Sequence, residues 1–202
     1  MLAAEAWADE IPPEERLRAH QYQVLAGFLV APPDASLLDL CSRFSGNDSE
    51  LGRAVAELAL RAGQITPEAA SHEYHDLFIG IGRGELVPYA SYYLTGFLNE
   101  MPLAKLRRDM ASLGIARAES VKEPEDHIAA LCEMMAGLIT GAFGAPLDLA
   151  AQQAFFDRHL ASWAPVFFAD LERARSASLY VPVGTLGRVF MGIEETAFMM
   201  AT

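Results

Sequence analysis

Apolar residues in this 202-residue chain recur at the three- and four-residue spacing of a helix face, and nowhere alternate long enough to demand a sheet. That regularity confines the chain to an all-α fold. Leu17, Tyr22, Leu25, Phe28 and Leu29 form one stripe after Pro12-Pro13-Glu14-Glu15, a run that suits a helix start. Leu37, Leu38, Leu40 and Phe44 follow Pro32-Pro33-Asp34, and Leu51, Val55, Leu58 and Leu60 follow the turn-rich Ser45-Gly46-Asn47-Asp48-Ser49. Thr66 is placed to cap a further helix with Pro67 in its first turn. That helix is predicted to run through Tyr74 and Phe78 and to stop at Gly80-Ile81-Gly82-Arg83-Gly84. Two more are expected after Pro88 and Pro102, the second closed by Gly114.

The polar stretch 115–123 interrupts the pattern and predicts a division into lobes. The expected organisation is an N-terminal helical lobe over 1–114, a hinge over 115–127, and a C-terminal lobe over 128–202. Three helical patterns are read in the last: one with Ile128, Leu131, Met134, Met135 and Leu138, one with Phe155, Phe156, His159 and Leu160, and one from about Val183 to the end.

Composition removes whole classes of function. A hydrophobic content of 52% is enough for a core and excludes disorder. A net charge of -12 lacks the basic footprint of a nucleic-acid binder and suits a basic partner. No apolar run reaches bilayer length, so stable membrane insertion is not expected. The start carries Glu5, Asp9 and Glu10 and no basic residue, unlike a secretory signal, and the expected location is the cytoplasm. Cys41 and Cys132 sit in apolar helical patterns without metal-like spacing and read as buried thiols.

Two stretches depart from plain alanine-leucine helix. Glu73 to Gly80, continued by Pro88-Tyr89-Ala90-Ser91-Tyr92-Tyr93, places aromatics on both sides of a glycine loop, as a groove for an apolar segment would. Glu123-Pro124-Glu125-Asp126-His127 concentrates carboxylates beside an imidazole. It reads first as a helix start, with proline and acids in the first turn, and also as an acceptor of forked arginine hydrogen bonds. His72-x-x-His75-Asp76 has helix-face spacing, but lacks the second Glu-x-x-His of a di-iron bundle. The Gly80-x-Gly82-x-Gly84 loop lacks the strand and the lysine of a phosphate loop. His159-x-x-x-Trp163-x-Pro165 reads as packing, a histidine beneath an indole before a proline-limited turn.

Together these motifs resemble the cytoplasmic chaperones of molybdoenzyme maturation, the TorD/DmsD/NarJ type. The resemblance rests on Tyr74-x-x-Leu77-Phe78-x-Gly80, Pro88-Tyr89-x-Ser91-x-Tyr93, Glu123-Pro124-x-Asp126-His127 and His159-x-x-x-Trp163-x-Pro165. It implies an all-helical fold in two lobes joined by a hinge, no enzymatic activity and no cofactor. The implied partners are a molybdopterin oxidoreductase apoprotein and its twin-arginine leader peptide, held until cofactor insertion is complete. By position, Tyr74, Leu77, Phe78, Pro88, Tyr89 and Tyr93 would line the peptide groove, and Glu123, Pro124, Asp126 and His127 would form the hinge-side motif. Tyr74 and Tyr89 stand where some relatives place tryptophan, and the chain looks closest to relatives serving formate dehydrogenases. The resemblance is compatible with a monomer or a homodimer. The competing expectation is a metal-dependent or nucleotide-hydrolysing helical enzyme using His72, His75, Asp76 or the Asp126-His127 pair.

Overall fold

A computed structural model describes residues 10–118 and 121–201. The first nine residues, on which the reading of the start rests, and Glu119 and Ser120 of the expected hinge lie outside the described residues. Among the described residues ten α-helices follow one another: α1 Pro13–Val30, α2 Ala35–Ser42, α3 Glu50–Ala62, α4 Pro67–Tyr74, α5 Ala90–Thr95, α6 Met101–Ser112, α7 Ile128–Thr140, α8 Leu149–His159, α9 Ala164–Arg173 and α10 Tyr180–Ala201. Among the described residues the only β-type pairing is an isolated antiparallel bridge between Tyr89 and His127. The fold is all-α, as the periodicity requires.

The local signals act where the sequence places them. Asp34, Ser49 and Thr66 cap α2, α3 and α4 through their side-chain oxygens. The helix from Thr66 does not stay α to its end: after Tyr74 it widens into a single π-turn, His75–Ile79, before Gly80 at φ +59°. α9 is a correction. Pro165 does not limit a turn but sits in the first turn of a helix, where its missing N–H is harmless. Leu17, Leu40 and Leu60, placed above in apolar stripes, are exposed, because each of their helices packs along a narrower face than the full stripe.

Packing groups the chain into two units that are not contiguous in sequence. One comprises Tyr89–Trp163 with the described residues up to Ala26 and from Ala197 on; the other comprises Gly27–Pro88 and Ala164–Thr196. This differs from the expected lobes at 1–114 and 128–202. Two of the four boundaries fall inside α1 and inside α10, uninterrupted helices that give no compositional signal, and the described part of 115–127 lies within one unit.

In the first unit α7 is central. All of its residues but Ala130, Glu133 and Thr140 are buried, so it is apolar nearly all round. Phe155, Phe156, Leu160 and Trp163 are also buried in this unit, and burial of each such side chain is worth roughly 2–3 kcal/mol. In the second unit Phe28, Leu58, Leu77, Phe167, Phe168 and Tyr180 are fully buried. Their tyrosine hydroxyls are matched: Tyr180 donates to the Phe28 carbonyl at 2.8 Å and Tyr74 to the Leu29 carbonyl at 3.3 Å. Glu73 supplies the start of α10, accepting from the amides of Ser178, Leu179 and Tyr180 at 2.7, 3.1 and 2.8 Å.

Candidate functional site

The Glu-Pro-x-Asp-His segment enters α7, and each of its polar side chains has a distinct task. Proline at 124 starts a tight turn closed by the His127 amide on the Pro124 carbonyl at 3.2 Å. Turning the chain there aims Asp126 at the start of α5. Its Oδ2 accepts from the Ser91 amide at 2.8 Å and its backbone carbonyl accepts from the Ala90 amide at 3.0 Å. His127 is the N-cap of α7: its Nδ1 accepts from the Ala129 amide at 3.1 Å, which leaves the single proton of the neutral ring on Nε2. Burial pushes its pKa down to about 4, against the pull of the Glu123 and Asp126 carboxylates. His127 thus caps its own helix as an acceptor.

The flanking acids fix the segment to its surroundings. Tyr89 donates its hydroxyl to Glu123, and its ring meets His127 edge-on at 4.9 Å between centroids. Glu125 accepts from Arg107 Nε at 2.9 Å, and Arg117 approaches it at 3.7 Å. Burial works against the charged Glu125, but the Arg107 hydrogen bond and the two guanidinium charges prevail and hold the carboxyl below its usual range. Glu125 is therefore already engaged, whereas Asp126 is not fully so.

Asp126 is 1% exposed, and its Oδ1 has no hydrogen-bond partner; the equally buried Ser91 Oγ also lacks one. A buried orphan carboxylate oxygen costs free energy unless something donates to it. Asp126 lines a cavity of about 200 Å³, together with Leu94, Leu131, Lys105, Arg158 and His159. His159 Nε2 and Arg158 share Asp109 Oδ2, at 2.8 and 2.9 Å. Burial lowers the His159 pKa, opposed by the Asp109 hydrogen bond. The Trp163 indole donates to the His159 carbonyl at 2.8 Å, so that motif locks α8 rather than stacking a ring under an indole. Leu94, which lines the cavity, is exposed, and the chain after it carries exposed Phe97, Leu98 and Met101. Sequence reasoning quoted Ser91 but gave no role to Lys105, Asp109 or the apolar run after Leu94, which has no period to mark it.

The residues read from the sequence as peptide groove and hinge-side motif fall into two sets that do not follow that division. Tyr89, Tyr93, Glu123, Pro124, Asp126 and His127 belong to one unit, and Tyr74, Leu77, Phe78 and Pro88 to the other. Tyr93 lies partly exposed against Trp163, 5.5 Å between ring centroids. In the other unit Tyr74 and Leu77 are buried, and Phe78, half-buried, meets Tyr74 and Tyr180 at 5.0 and 5.5 Å. Pro88 is buried. Beyond the π-turn the glycine loop carries Ile81 outward, fully exposed, between Gly80 and Gly82, both at positive φ. Of the residues considered for a metal, His75 Nδ1 lies 2.7 Å from the Ser71 carbonyl, while neighbouring Glu73 caps α10. Among the described residues no three His, Cys, Asp or Glu side chains come together as a metal site.

The family model described as nitrate reductase delta subunit matches residues 45–169, a span that contains every one of these motif residues. The chain is 32% identical over 126 residues to a protein named Chaperone protein TorD from Vibrio cholerae serotype O1, covering 59% of this chain and 57% of the relative. It is 29% identical over 132 residues to the Vibrio atlanticus protein of that name, 61% of each chain. The Aliivibrio fischeri counterpart is 31% identical over 124 residues, covering 57% of this chain and 53% of the relative. The matches thus span a little over half the length of these curated relatives.

Proposed function

This chain belongs to the nitrate reductase delta subunit family, and on that premise we propose that it is a non-enzymatic chaperone of molybdoenzyme maturation. It binds the apoprotein of a molybdopterin oxidoreductase and its twin-arginine leader in the cytoplasm, and holds them until cofactor insertion is complete. A client of the formate dehydrogenase kind is the favoured one, on the resemblance of the motifs.

One observation carries the reading at the level of atoms. Asp126 Oδ2 is committed to the start of α5, while its buried Oδ1 stands without a donor beside a cavity that Leu94 and Leu131 also line. A partner that supplies a hydrogen-bond donor next to apolar side chains fits that need, and a basic leader with an apolar stretch carries both. The geometry also suggests the variant that separates binding from folding. In Asp126→Asn the amide oxygen still accepts from Ser91, but an NH2 group replaces the free acceptor. The expected result is leader-peptide affinity reduced tenfold or more, with helical circular dichroism and urea midpoint close to wild type. Unchanged affinity, or equal affinity for the leader and a scrambled version, would remove Asp126 from the site.

A further inference from the structure

Beside the start of α1 lies a second groove, of about 530 Å³, in the same unit as Asp126 but lined by other residues. Its floor is apolar, made by Ile139 at the end of α7 and by Pro146, Leu147 and Leu149 on the way into α8. Its wall is acidic: Glu10, Glu14 and Glu15. The wall is tied to the floor. Gln152, 3% exposed, donates to Glu15 at 3.2 Å and to the Leu147 carbonyl at 3.0 Å, and Arg18 holds Glu15 at 2.6 Å. Glu10 and Glu14 are exposed and have no hydrogen-bond or ion-pair partner among the described residues.

Acids in a first helical turn are favourable for the helix dipole alone. That effect reaches Glu14 and Glu15. It accounts neither for Glu10, which precedes the helix, nor for an apolar floor that leaves Leu149 exposed. We propose that this groove is a second docking site on the chaperone, taking a short segment in which arginine or lysine side chains adjoin apolar ones. The basic groups pair with Glu10 and Glu14 while the apolar ones cover Ile139, Pro146 and Leu149. The inference rests on the leader-binding reading and adds to it a contact separate from Asp126. Charge argues for a partner of this chemistry over the other occupants. The chain carries -12 overall, so a second copy is repelled, and residues 1–9 contain Glu5 and Asp9 but no lysine or arginine.

The test titrates the full chain with a fluorescein-labelled synthetic peptide bearing an Arg-Arg pair followed by an apolar stretch. Glu10→Lys with Glu14→Lys is compared with Asp157→Lys with Glu195→Lys, which changes the net charge equally at exposed sites outside the groove. The groove variant is expected to bind at least tenfold more weakly at low ionic strength, with the gap narrowing at high salt, and the control to stay within about twofold of wild type. A photo-crosslinking side chain at position 149 of the otherwise native protein is expected to capture the peptide. Wild-type affinity in the groove variant alongside weakened binding in Asp126→Asn would overturn the second site and leave the leader-binding reading standing. Equal losses in groove variant and control, or crosslinks only to the chain itself or a second copy, would also overturn it. No binding by the wild-type protein would sink both.

Discussion

Asp126 and His127 are adjacent but do opposite things, and single substitutions should separate them. Asp126→Ala removes the acceptor for the Ser91 amide and should cost about 1–2 kcal/mol in urea unfolding, whereas Asp126→Asn should cost little. Equal losses would mean that the charge, not the acceptor, holds α5. His127 makes a pH prediction. Its folded pKa, about 4, lies below the ordinary 6.5, so between those values the unfolded chain binds more protons than the folded one. Its contribution is therefore complete above pH 6.5 and is lost as pH falls toward 4, by up to about 1.4 kcal/mol per pH unit. His127→Asn keeps a good cap that cannot titrate, and should flatten that part of the stability curve between pH 6.5 and 4.5. Parallel curves for the two proteins would contradict the buried neutral cap. A cluster of acids beside a histidine was legible in the sequence. Which oxygen each acid gives away was not, because it depends on amides 35 residues distant, as with Ser91 and Asp126.

At the scale of elements, signals written in neighbouring residues were legible and those written in space were not. Thr66-Pro67 and Ser49 announce α4 and α3 because capping is local. The π-turn at His75–Ile79 adds one residue to a helix whose apolar spacing already fits an ordinary turn, so no periodicity betrays it. α9 was masked by Pro165, a residue that starts helices as readily as it stops them. Its packing depends on two glycines in α10 that a sequence reading passes over. A Cβ at Gly184 would come within 2.5 Å of the Glu172 backbone nitrogen, and one at Gly187 within 2.2 Å of the buried Phe168 ring. Gly184→Ala should therefore destabilise the protein by about 1–3 kcal/mol despite alanine's better helix propensity, since backbone must move. A stability equal to or above wild type by urea unfolding would mean that α9 and α10 are not in this close contact.

For the whole molecule, the fold class was legible because helical periodicity is a property of every segment, while the partition was not. A break in composition at 115–127 suggested two lobes in series, but packing cuts α1 and α10 and gathers segments from both halves of the chain into each unit. Long-range grouping of that kind leaves no mark on local composition. Net charge belongs to the same scale: at -12, complex formation with a basic leader should weaken as salt rises from 0.05 to 0.5 M, through slower association above all. Salt-indifferent rates in stopped-flow binding would make the acidic surface irrelevant to recognition. The chaperone role is tested by purifying the full chain from its native cells and identifying by mass spectrometry what accompanies it. A molybdopterin oxidoreductase precursor still carrying its leader is expected, recovered with wild type and depleted with Asp126→Asn. Absence of any such oxidoreductase, under growth conditions in which one is expressed, would contradict it.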